Sequence, residues 1–71
     1  MTDTEALKNR IMESGITISF LASKIGITRE GFYKKMNNET EFKASEISCV
    51  KQVLRLTNTE RDAIFFAQMV E

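Results

Sequence analysis

Side chains able to act as nucleophiles or metal ligands are scarce in this chain. Cys49 is its one cysteine and histidine is absent, so neither a Cys–His nucleophile pair nor a zinc site can be assembled. A glycine-rich phosphate loop is missing too, and the Asp and Glu residues do not gather at metal-ligand spacing. No enzymatic activity, cofactor, metal or small-molecule ligand is therefore expected, and Cys49 reads as a small core hydrophobe. Charge is what remains. The formal net charge is zero, yet residues 15–38 hold Lys24, Arg29, Lys34 and Lys35 against Glu30 alone, a local excess of +3. Residues 1–14 come to −1 and residues 39–50 to −2. A basic excess confined to one short segment is what a local anion-facing surface requires.

Helices must position that segment, because no strand-like alternation persists anywhere and proline is absent. The spacing predicts a first helix from about Thr4 to Ser14, with Leu7 and Ile11 on one face and Gly15 as its stop. A second, capped by Thr17 or Ser19, runs to Ile25 with Leu21, Ala22 and Ile25 inward. Thr28 caps the third, which extends to about Asn37 with Phe32 and Met36 one turn apart. The loop Asn38 to Lys43 is polar except for Phe42. A fourth helix, about Ala44 to Leu54, carries the stripe Ile47, Val50 and Leu54. The fifth is expected from Thr59, with Asp62 three residues on, to about Val70. Met1, Met12, Met36 and Met69 read as core filler. Seventy-one residues make a single all-α domain, 1–71, whose core is marginal enough to need support from oligomerisation. The segment Met1 to Gly15 is polar and no apolar run approaches the roughly 18 residues of a membrane span. A cytoplasmic protein is expected.

Residues 17–37 carry the main signal. Ala22 is small where two helices must cross closely, and Gly26 falls at the bend, where a positive φ is cheap only for glycine. Ile27 turns inward from the bend, Thr28 caps the next helix, and Phe32 anchors it. Two short helices joined this way leave the second with a free face sized for the major groove of DNA. Leu21-Ala22, Gly26-Ile27-Thr28 and Phe32 at this spacing resemble the helix-turn-helix of the phage repressor and Cro-like family, the xenobiotic-response-element group. Short Cro-like proteins encoded in prophages look most alike. The resemblance covers roughly residues 4 to 67. It implies a five-helix, lambda-repressor-like domain that binds double-stranded DNA sequence-specifically and regulates transcription, most often as a repressor. Two positions depart from the pattern. Lys35 stands where many members are apolar, with Met36 taking over the packing. Ile18 stands where members carry a polar phosphate-contacting residue, so Thr17 or Ser19 must substitute.

With Phe32 and Met36 inward, Arg29, Glu30 and Tyr33 are expected to point outward, with Lys34 at the helix edge. In such a helix the N-terminal part meets base edges. Arg29 can donate bidentately to guanine and Glu30 can accept from a cytosine amino group, while Tyr33 and Lys34, one turn further on, complete the expected base-contacting set, able to touch a base, a thymine methyl or a phosphate. Phosphate contacts are expected from Thr17, Ser19, Thr28, Lys35, Asn37, Asn38 and Lys43. Gly31 costs the helix about 1 kcal/mol relative to Ala; a close approach by a neighbouring helix or by the sugar-phosphate backbone would account for it.

The fifth helix is apolar almost all round, through Ala63, Ile64, Phe65, Phe66, Ala67, Met69 and Val70. A helix on a small domain can bury one stripe, so a homodimer through Ile64, Phe65, Phe66 and Met69 is expected, with Phe65 and Met69 left uncovered by the monomer. A two-fold dimer would present recognition helices to successive major grooves about 34–36 Å apart, matching a palindromic operator. Two other readings stand beside this one: a protein-interaction module of antitoxin or adaptor type using the same apolar helix, and an excisionase-like architectural DNA binder.

Overall fold

Local capping signals set where each helix starts. Asp3, Thr17, Thr28 and Thr57 each accept a backbone N–H three residues on, from Ala6, Phe20, Gly31 and Glu60. At Lys43 the reciprocal device operates, the Glu46 carboxylate accepting the Lys43 N–H at 2.8 Å. These caps open the helices of a computed structural model that describes residues 1–67. They are α1 (Thr4–Ser14), α2 (Ile18–Ile25), α3 (Arg29–Met36), α4 (Ala44–Leu54) and α5 (Asn58–Phe65). The fold is all-helical, with no strand among the described residues. None of these helices is long and apolar enough to cross a membrane. Gly15 and Gly26 close α1 and α2 in the left-handed region, at φ 73° and 79°.

The fifth helix departs from expectation at both ends. It starts earlier because Thr57, not Thr59, forms a capping box: Thr57 Oγ1 accepts from Glu60 N–H and Glu60 accepts from Thr57 N–H. It ends at Phe65, with Phe66 as its cap. Met69 and Val70 lie outside the described residues.

The buried core draws on every helix: Leu7 and Ile11, Leu21 and Ala22, Phe32 and Met36, Ile47, Val50 and Leu54, then Leu56, Ile64 and Phe65. Phe32, Leu7, Leu21, Met36 and Val50 are sealed from water, each stabilising the fold by roughly 1.5–3 kcal/mol. Phe42, the lone apolar residue of its loop, stacks edge-on against Phe32 at 5.5 Å and Phe65 at 5.2 Å. Its ring thereby joins α3 to α5. Polar ties complete the frame: Thr4 Oγ1 donates to the Met36 carbonyl at 2.7 Å, and Arg10 donates to that of Leu54 at 2.9 Å. The methionines divide. Met36 is buried, whereas Met1 and Met12 are exposed and fill no core, since the inward side of α1 is already taken by Leu7 and Ile11.

The sequence signals at Ala22 and Gly26 act through different physics. Ala22 is buried, so Ala22→Leu must force extra methylenes into a filled core, at about 1–3 kcal/mol. A Cβ at Gly26 would meet nothing within 4 Å. Gly26→Ala should therefore cost only the left-handed backbone, about 1–2 kcal/mol, and Gly26→Asn less. Urea unfolding of the three variants checks this; a Gly26→Ala protein as stable as wild type would contradict it.

Candidate nucleic-acid interface

Helices α2 and α3 are joined by Gly26-Ile27-Thr28, with the Ile27 N–H bonded to the Ala22 carbonyl at 3.0 Å. Ile25 and Ile27 are half-buried against the core. Helix α3 turns Phe32 and Met36 fully inward. At about 100° per residue, the side opposite their midline belongs to Lys34, with Glu30 and Asn37 both to one side of it, and all three are exposed. Lys34 thus lies at the centre of the free face, not at its edge. The edge position falls to Tyr33, which is half-buried and packed on the core. Arg29 is exposed beside it, its guanidinium 5.6 Å from the Tyr33 ring centroid.

Two of the expected phosphate contacts are committed elsewhere. Lys35 is largely buried and its Nζ donates to Glu46 Oε1 at 2.9 Å and to the Glu41 carbonyl at 3.1 Å. Its flank of α3 faces α4, so the side chain bolts two helices together. Asn38 forms a reciprocal pair with the Thr2 backbone, accepting its N–H at 2.8 Å and donating to its carbonyl at 2.9 Å. Asn38 itself sits at φ 65°, a conformation Asn tolerates better than most residues.

Thr17, Ser19, Thr28, Asn37 and Lys43 are exposed. The Thr17 and Thr28 hydroxyl oxygens accept helix N–H groups and retain their O–H for another partner. The first turns of α1, α3, α4 and α5 each carry an acid, while that of α2 carries none. Its positive dipole end is left without a side-chain anion. The site therefore gathers Arg29, Glu30, Lys34 and Asn37 on α3 with Thr17 and Ser19 at the start of α2.

No neighbouring helix closes on Gly31, the first of the two approaches expected of it. A Cβ there would stand 3.1 Å from Thr28 Oγ1, so its nearest neighbour is its own helix cap. The dimer residues separate as well. Ile64 and Phe65 are buried within the monomer, whereas Phe66 is 57 % exposed. Phe65 is drawn in by Phe42, which leaves Phe66 as the uncovered one of the two expected interface aromatics; Met69 lies outside the described residues. Cys49 is half-buried, its Sγ 3.5 Å from the Lys24 carbonyl.

Sequence reasoning missed the Lys35–Glu46 pair. The only available signal was a basic residue at an otherwise apolar helix position, eleven residues before an acid at the third position of the next helix. Burial acts most strongly on the Glu46 carboxyl and raises its pKa. The Lys43 N–H, the Lys35 hydrogen bond and the charges of both lysines together outweigh it, so the pKa is lowered from its ordinary 4.5.

Compared with family models, with curated proteins and with solved structures, the chain matches none.

Because the folded pKa of Glu46 lies below the unfolded one, the pair stabilises the protein above pH 4.5, and this is lost as pH falls through the depressed value. Lys35→Met should cost about 1.5–3 kcal/mol at neutral pH, the worth of a hydrogen bond to a charged group. The gap between variant and wild type should narrow once the pH drops below 4.5. Urea midpoints across that range check it, and an unaltered midpoint at neutral pH would return Lys35 to the solvent.

Proposed function

We propose that this protein is a sequence-specific regulator that binds double-stranded DNA with α3 in the major groove, on a lambda-repressor-like fold, and represses transcription. One observation carries the reading: α3 buries Phe32 and Met36 completely while Arg29, Glu30 and Lys34 stay exposed. A solvated helix has no need of a short connection that keeps its polar face clear of the rest of the domain. Arg29 suits guanine and Glu30 a cytosine amino group, which together describe G·C-containing half-sites. Glu30 also penalises close approach to phosphate, so it favours a base-edge partner over the backbone. Lys34, at the centre of the free face, is placed to reach a base edge, and Lys43, Asn37 and the unopposed N-terminus of α2 with Thr17 and Ser19 supply backbone contacts. Lys35 and Asn38 hold the frame instead.

In this proposal the regulator acts as a homodimer on a palindromic operator, with Phe66 rather than Phe65 as the association residue. Exposed Phe66 adjoins Phe42, Ala44 and Arg61. The same residue is what favours the second reading, an interaction module whose partner is another protein.

Salt separates them. If three phosphates are neutralised per protomer, the log–log slope of affinity on salt is about −2.7, a loss of about 40-fold between 50 and 200 mM. Titration of a random-sequence duplex pool should show this, and sedimentation of the same mixtures should show two protomers per duplex, reduced to one by Phe66→Asp. Absence of salt-dependent duplex binding would leave the interaction module as the better account.

A further inference from the structure

The four arginines of this chain meet different fates, and one contrast isolates the role of a neighbouring aromatic. Arg61-Asp62 and Arg29-Glu30 are the same local pattern, a helical arginine followed by an acid, each with an aromatic four residues after the arginine: Phe65 and Tyr33. In α5, Arg61 folds onto its neighbour, with Nε and a terminal nitrogen both 2.9 Å from Asp62 Oδ1. Phe65 offers it no surface, since that ring is buried against Phe42. In α3, Arg29 makes no hydrogen bond or ion pair to Glu30 or to any other of the described residues. It lies instead over the Tyr33 ring at 5.6 Å. Tyr33 can offer that surface because it is half-buried, lining a hollow with Met12, Ile16 and Ile18.

The two modes of holding an arginine differ in what they leave available. A carboxylate consumes the N–H donors of the guanidinium fork. An aromatic face attracts its charge and engages its plane, leaving the five edge donors unused. We propose that Tyr33 is a positioning residue for Arg29, keeping the guanidinium off Glu30 and ordered before binding, so that its fork reads guanine. This rests on the DNA-binding reading above and deepens it. The ring, not the hydroxyl, does the positioning.

The test uses the whole chain with Tyr33→Phe, which keeps the ring, and Tyr33→Leu, which keeps only apolar bulk. In free protein, NMR should show the Arg29 δ-methylene protons shifted upfield by the ring in wild type and Tyr33→Phe, and unshifted in Tyr33→Leu. On DNA, the readout is the affinity ratio between a selected site and the same site with the Arg29-contacted G·C pair changed to A·T. Tyr33→Phe should keep the wild-type ratio; Tyr33→Leu should lose about two- to fivefold of it, the scale of an exposed cation–π contact. Its salt slope should stay unchanged. An unchanged ratio in Tyr33→Leu overturns the positioning role and leaves DNA binding intact. Equal losses in both variants place the effect in the hydroxyl and overturn it too. If Tyr33→Leu fails to fold, the methylene shift in wild type decides, its absence counting against the stack. A wild type with no salt-dependent duplex binding removes the functional reading and this proposal with it.

Discussion

Complete burial of Phe32 and Met36 fixes the rotation of α3, and every other property of the candidate interface depends on that rotation. A helix of eight residues has little intrinsic stability in water, so its orientation has to come from packing. Phe32 meets Phe42, Phe42 meets Phe65, and the three rings clamp α3 to the loop behind it and to the last helix. On the far end, Thr4 holds the Met36 carbonyl. Once those contacts are made, Lys34 and Glu30 have nowhere to go but outward, and Tyr33 is left at the margin as a plinth.

Electrostatics divides along the same line. Of the four basic residues in the positive segment, Lys35 is turned into the structure, where Glu46 and the Glu41 carbonyl take two of its three donors. Its role is mechanical: it ties α3 to the N-terminus of α4, and the Glu46 carboxylate that holds it also caps α4 through Lys43 N–H. The charge offered to a ligand is thus smaller than the sequence total suggests and lies further toward Arg29 and Lys34. A protein with no net charge has little long-range attraction for a polyanion, so the proposed DNA binding would have to lean on short-range fit.

Helix boundaries up to Leu54 were legible because each is written in local chemistry: Thr17 and Thr28 as caps, Gly15 and Gly26 as left-handed stops, and the Ile47, Val50, Leu54 stripe. Fully inward positions such as Leu7, Leu21 and Phe32 followed from periodicity. Features that depend on three-dimensional neighbours were not legible. Periodicity cannot say that Phe42 will cross a polar loop to cover Phe65, so the wrong aromatic of α5 was expected at the surface. Nor can it distinguish a lysine bound to an acid on another helix from one facing solvent, or find that Asn38 is tied to the backbone of Thr2 across 36 residues. In the candidate site, Arg29 and Glu30 are exposed as expected, while Lys34 and Tyr33 exchange the face and edge positions expected of them. Residues whose partner lies on a distant element were not anticipated.

Selection of bound sites from a random duplex pool, run on wild type and on Arg29→Ala, tests most directly that α3 reads sequence. Wild type should enrich an inverted repeat with G·C pairs in each half-site. Arg29→Ala should enrich the same repeat with one G·C pair relaxed, at a cost of about 1–3 kcal/mol in specific affinity. A wild type that enriches no sequence, or an Arg29→Ala pool indistinguishable from the wild-type pool, would contradict the account.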